Sequence, residues 1–111
     1  MAYSPTIIQG SKDVTTAGTR EQLITVATSV RTVIIQSKRA NTDNIFVGDS
    51  NISSTTGISI APGDSISFDP PKDKHGTNSL FDLSDFWLDS AVNGEGVTFI
   101  YTTDGQNVDS M

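Results

Sequence analysis

The sequence predicts an all-β fold, a jelly-roll-like antiparallel β-sandwich of about eight short strands with an extended N-terminal arm. Three observations carry this expectation. The residues that are not hydrophobic are rich in Ser, Thr, Asn, Asp and Gly rather than Lys and Glu, a balance that favours strands and turns over helices. No stretch of helical length repeats apolar residues at i, i+3, i+4 and i+7. Short apolar runs are instead punctuated by turn signals roughly every 8–12 residues, the spacing of sandwiches and barrels. At 111 residues the chain has length for one core only. The expected division is therefore an arm over residues 1–10 and a single β-sandwich domain over residues 11–111.

Taken in order, the arm contains Tyr3, Pro5, Ile7 and Ile8, apolar enough to seek burial but followed at once by Gly10 and Ser11. Residues 21–26 form a candidate strand. The strongest strand candidate is residues 30–36, dense in β-branched side chains, where the run Val33, Ile34 and Ile35 suggests burial on both faces. Residues 44–48 form another, followed by a Ser/Thr/Asn-rich loop over residues 49–57. Ile58-Ser59-Ile60 then runs into Ala61-Pro62-Gly63-Asp64, a tight-turn signal, and residues 64–68 alternate so that Ile66 and Phe68 share a face, as Ile58 and Ile60 do before the turn. Pro70 and Pro71 bar residues 69–79 from a central strand, because proline lacks the donor N–H, and an exposed loop is expected there. Residues 85–89 lead through Asn93-Gly94 into residues 97–101, the strongest short-range hairpin signal in the chain.

Charge narrows the partners. Seven basic residues stand against 13 acidic ones, net −6, and every Lys and Arg lies at or before Lys74. The excess therefore sits in the final segment, with Asp82, Asp85, Asp89, Glu95, Asp104 and Asp109. Such a segment repels phosphate backbones, and the scattered cations do not cluster with aromatic residues, so no nucleic-acid partner is expected. No run is long and apolar enough for a signal peptide or a bilayer span, so no membrane partner is expected either. With no cysteine there is no disulfide framework and no thiolate metal site.

The motif nearest to catalysis is Gly48-Asp49-Ser50 after an apolar strand, which resembles the nucleophile block of lipase-like hydrolases. That chemistry needs a histidine oriented by a carboxylate and a helix-flanked parallel sheet. The one histidine, His75, has Lys72 three residues before it and no helical scaffold around it, so Ser50 is read as part of a strand-end loop and no enzyme is expected. Asp49, Asn51 and Ser53 imitate the first ligands of a calcium loop, but Ser54 and Ile60 stand where glycine and glutamate belong. Asp82, Asp85 and Asp89 read as solvated acids at strand ends, and no metal or cofactor is expected. Alternation separates Phe86 and Leu88 on one face from Trp87 on the other, so the indole either plugs a second core layer or faces a partner.

The series Val33-Ile-Ile-Gln-Ser37, Asn41-Thr-Asp-Asn-Ile-Phe-Val-Gly48, Gly57-Ile-Ser-Ile-Ala-Pro-Gly63 and Leu83-Ser-Asp-Phe-Trp-Leu-Asp-Ser90, completed by Asn93-Gly-Glu-Gly-Val97 and Tyr101, resembles small virion proteins of tailed bacteriophages of the head decoration or cement type. The resemblance runs from about Val14 to Tyr101, and residues 70–81 depart from it by their length. It implies a β-sandwich without enzymatic activity, often trimeric, on the outer surface of the capsid, where it ties major capsid subunits together. On that reading the contact residues are Tyr3, Pro5, Ile7 and Ile8 of the arm, Pro70, Pro71 and His75 of the long loop, and Trp87. A different class of function, a tail- or fibre-associated adhesin holding a host glycan through Trp87 or Tyr101, is the alternative.

Overall fold

A computed structural model describes residues 7–69 and 81–103, and within these the chain is almost entirely strand. The first sheet contains β1 (Ile7–Asp13), β4 (Thr32–Ser37), β7 (Ser65–Phe68) and β10 (Gly96–Thr102), in the order β1-β10-β4-β7. The second contains β2 (Glu21–Gln22), β5 (Ile45–Gly48), β6 (Ile58–Ile60) and β9 (Trp87–Ser90), in the order β2-β9-β5-β6. A small pair, β3 (Ser29–Val30) with β8 (Phe81–Asp82), closes one end. All pairings are antiparallel. Counting the eight strands of the two larger sheets along the chain, the first sheet runs 1-8-3-6 and the second 2-7-4-5, which is the strand order of a jelly roll. The expected fold class holds.

The core lies between the two sheets. Val33 and Ile35 of β4, Val97, Phe99 and Tyr101 of β10, Ile45 and Val47 of β5 and Leu88 of β9 are buried together with Val14, Leu23, Val30, Ile60 and Leu83. Only one face of β4 takes part. Ile34 is 45% exposed, so burial of this run on both faces is corrected to burial on one. The reason is topological: among the described residues no layer covers the outside of the first sheet, and strict alternation puts Ile34 there.

That outer face is unusual in its chemistry. Register places Ile7, Gln9 and Ser11 of β1 beside Thr102, Ile100 and Thr98 of β10. The last three lie beside Thr32, Ile34 and Gln36 of β4. Ser67 and Ser65 of β7 complete the face opposite Ile34 and Gln36. Charges stand only at its margins. Asp13 and Lys38 neutralise each other there at 2.7 Å, and Asp69 follows the end of β7.

Both tight turns carry the chain between sheets instead of closing hairpins. At Ala61–Asp64 the Asp64 N–H donates to the Ala61 carbonyl at 2.9 Å, and Gly63 has φ +85°. With Pro62 before it, this is a type II turn, and it links β6 of the second sheet to β7 of the first. Ile60 is buried in the core, while Ile58 at the start of β6 is 52% exposed.

The Asn93-Gly94 hairpin is likewise corrected, since β9 pairs with β5 and β2 while β10 pairs with β1 and β4. A two-residue hairpin of the favoured type needs positive φ at both turn residues, and only Gly94 has it here, at +81°. The Asn93 side chain and the neighbouring backbone groups have tertiary partners instead. Asn93 Oδ1 accepts from the Ala17 N–H at 2.7 Å, Gly94 donates to the Val14 carbonyl at 2.8 Å, and Val14 donates to the Glu95 carbonyl at 2.9 Å. This corner is therefore sewn to the β1–β2 connection.

Other expectations are trimmed. The strand over residues 21–26 reduces to Glu21 and Gln22, because Leu23 turns inward, its N–H donating to the Phe86 carbonyl, and Val26 is left exposed. The strand expected from Asp85 begins at Trp87, preceded by a 3₁₀ turn over Leu83–Asp85 that Asp82 caps by accepting from the Ser84 N–H. Ile7–Gly10 of the expected arm belong to β1, and residues 1–6 lie outside the described residues. Gly10 is not punctuation there. It sits mid-strand opposite Phe99, where a Cβ would come within 2.7 Å of the Phe99 ring.

Candidate functional site

Of the residues expected to make contacts, Ile7 and Ile8 lie at the start of β1, 67% and 38% exposed. Among the described residues β1 has no neighbour on its outer side, so the alternate backbone N–H and C=O groups of this seven-residue strand that do not bond to β10 face outward beside these isoleucines. Tyr3, Pro5, Pro70, Pro71 and His75 lie outside the described residues. Trp87 is half-buried and is not in the core cluster, which removes the reading of a second core layer. It is paired with Gln22 on one side and Gly48 on the other, and lines a shallow depression of about 510 Å3 with Arg20, Ser50 and Asn51. Tyr101, the other aromatic of the adhesin reading, is buried and stacks on Phe99 with ring centres 6.1 Å apart.

A larger groove of about 620 Å3 opens along one edge of the sandwich. Its apolar wall includes Ile52, Ile58, Phe68 and Phe86, and Asp49, Asp82 and Asp85 stand around it. Phe68 and Phe86 meet edge to face at 4.8 Å, joining the first sheet to the segment before β9. Ile52 is the reason the polar loop over residues 49–57 has a fixed shape. It is buried between Gly48 and Gly57, and a Cβ on Gly57 would come within 2.0 Å of its Cδ1.

The acids of this region have separate structural roles. Asp82 Oδ1 accepts from the Thr28 and Ser84 N–H groups and from the Ser84 hydroxyl, and these bonds hold its carboxyl below the usual range. Asp89, expected to be a solvated acid, is instead buried in β9 and accepts from the Gly18 and Ser90 N–H groups. Asp49 accepts from the Asn51 N–H at 2.9 Å, the local turn expected of Gly48-Asp49-Ser50. Among the described residues no group of three His, Cys, Asp or Glu side chains is placed to hold a metal ion.

Two residues to which the sequence reading gave no structural role of their own hold the loops around Gly96 and Thr42. Asn41 is buried, and its amide donates to Ser37 Oγ at 2.9 Å and to the Gly96 carbonyl at 2.7 Å. Glu95 accepts from the Thr42 N–H and hydroxyl and from the Asp43 N–H. Desolvation opposes its ionisation, but the Thr42 and Asp43 bonds outweigh it and its carboxyl titrates low. No local signal marks either residue, because both act on loops distant in sequence.

No family model, curated protein or solved structure matches this chain.

Proposed function

We propose that this protein is a decoration protein of a tailed-bacteriophage head, bound to the outer capsid surface and tying neighbouring major capsid subunits together. The observation that carries the reading is the open edge of β1, with Ile7 and Ile8 exposed at its start. An unpaired edge offers main-chain hydrogen bonds to an extended segment of a neighbour, and Ile7 and Ile8, which alternate to the two faces of the sheet, flank that edge with apolar anchors. Jelly rolls recur in viral shells, a fold-level analogy that agrees with the motif series but does not assign function by itself. Many weak clamps on a repeating lattice gain by multivalency what each lacks alone.

The test is co-sedimentation with expanded heads of the phage that encodes the protein. Wild type binds saturably and raises the melting temperature of the heads. Ile7→Ser with Ile8→Ser weakens binding by more than about tenfold, since each buried isoleucine is worth about 1.5–3 kcal/mol. Absence of wild-type binding rejects the reading.

One observation favours the adhesin reading as a second. The Trp87 depression sets a partly exposed indole among Arg20, Ser50 and Asn51, an apolar plane with donors and acceptors around it that suits a sugar ring. A glycan array on which wild type binds and Trp87→Ala does not would select it.

A further inference from the structure

We infer that the outer face of the first sheet is a self-association surface, covered by the same face of a second copy around a twofold axis. This goes beyond the shell reading and does not depend on it. In a chain of net charge −6, the face from β1 to β7 carries Ile, Thr, Ser and Gln side chains, and among the described residues charges stand only at its margins.

An exposed sheet face needs solubility alone, and charged residues supply that most simply. This face instead centres on Ile34 and Ile100, cross-strand partners on the two inner strands, 45% and 39% exposed, with Ile7 at 67% diagonal to Ile100. Around Ile34 and Ile100 a shallow concavity of about 580 Å3 is bordered by Gln9, Gln36 and Thr98.

The chemistry identifies the occupant. A partner bringing charges would bury them against groups that cannot neutralise them, at a cost of several kcal/mol each. The occupant must therefore be charge-free as well. In a twofold contact the same face lies on both copies and groups at the axis meet their own copies, so a face of one charge sign opposes itself, whereas hydroxyls and amides both donate and accept and are self-compatible. The Thr32 and Thr102 hydroxyls already pair in this manner across β4 and β10, at 2.8 Å.

The area sets the strength. Four strands at ~4.8 Å spacing and about seven residues at ~3.4 Å rise give a face of roughly 450 Å2 per copy. That lies below the ~800 Å2 per partner of a standard interface, so the pair is weak and concentration-dependent. A face that meets itself closes a dimer, and the geometry therefore points to a twofold pair in place of the trimer that the resemblance implies.

Sedimentation of the full chain from about 1 μM to about 1 mM spans the range of weak interfaces. Wild type is expected to shift from monomer to dimer across it. Ile34→Glu and Ile34→Lys, each folded with an unchanged melting temperature, stay monomeric alone. Mixed in equal amounts they form the dimer again, because Ile34 lies near the axis and the opposite charges then meet. A wild-type monomer throughout, an assembly larger than a dimer, or a dimer that Ile34→Glu forms equally well overturns the proposal. So does a wild-type monomer whose Ile34→Glu variant loses binding to heads, which would give the face to the shell.

Discussion

The two sheets of this sandwich bury the same core but differ in what they turn outward. The first has three strands of six or seven residues and one of four, and its outer face is a shallow surface of Ile, Thr, Ser and Gln whose positions are set by backbone register. The second has strands of two to four residues. Its loops carry the acids, the groove beside Phe68 and Phe86, and the depression at Trp87. The long strands leave little to side-chain invention, because each position is in or out by alternation. The short strands leave shape to the loops, which need their own devices: Ile52 inside the loop over residues 49–57, the Asp82 cap, and the Asn41 and Glu95 hydrogen bonds. A surface built from register is shallow and repeats its chemistry, which suits a copy of itself. One built from loops is concave and particular, which suits a distinct ligand.

The largest effects should come where the comparison does not apply, in the shared core. Ile35→Ala from the first sheet and Leu88→Ala from the second should each cost about 2–5 kcal/mol in denaturant unfolding. A much smaller loss for Leu88 would mean that the second sheet does not share the cooperative core. Gly96→Ala should destabilise on a similar scale, about 3 kcal/mol or more, because its Cβ would come within 2.0 Å of the Lys12 carbonyl oxygen. Hydrogen exchange in that variant should show β1 released before the rest of its sheet.

Asn41→Ala comes next. It leaves the Gly96 carbonyl and Ser37 hydroxyl without their buried donor, a loss of about 1–3 kcal/mol by thermal or chemical denaturation.

Acid should then act through the loops. Glu21 titrates low because Lys12 bonds its carboxylate at 2.8 Å and the Thr15 N–H donates to it at 2.7 Å; Asp82 and Glu95 titrate low through the bonds described above. A carboxyl whose folded pKa lies below its unfolded value contributes stability that is fully present above the unfolded value. It is lost as pH falls through the folded one. The midpoint of urea unfolding should thus hold steady down to the ordinary values of 4.5 for Glu and 3.8 for Asp and fall below them. Glu95→Gln should flatten that fall.

The smallest stability effect belongs to the outer face of the first sheet. Ser67→Glu there should change unfolding free energy by no more than about 0.5 kcal/mol while removing concentration-dependent dimerisation.

Legibility in the sequence followed the same division. Strands β4, β5, β6, β7 and β10 were readable because β-branched runs and alternation are local signals that the sheets then satisfied. The partners of Pro62-Gly63 and Asn93-Gly94 were not. A turn motif specifies a change of direction, while the sheet that receives the next strand is chosen by the whole core. Ile34 misled for a related reason, since three β-branched residues in a row read alike whether one face or two is covered. Gly10 looked like a boundary because its function, making room for the Phe99 ring, depends on a residue 89 positions later (99 − 10). Of the contact residues, Ile7, Ile8 and Trp87 could be followed onto surfaces, whereas the face around Ile34 and Ile100 was invisible until register placed those two side by side.

The most direct test of the proposed decoration role is a cryo-electron map of a tailed-phage particle proposed to carry this protein. The account predicts jelly-roll density on the outer surface of the head, with the β1 edge against the major capsid protein. Density confined to the tail or its fibres, with the Trp87 depression turned outward, would contradict it.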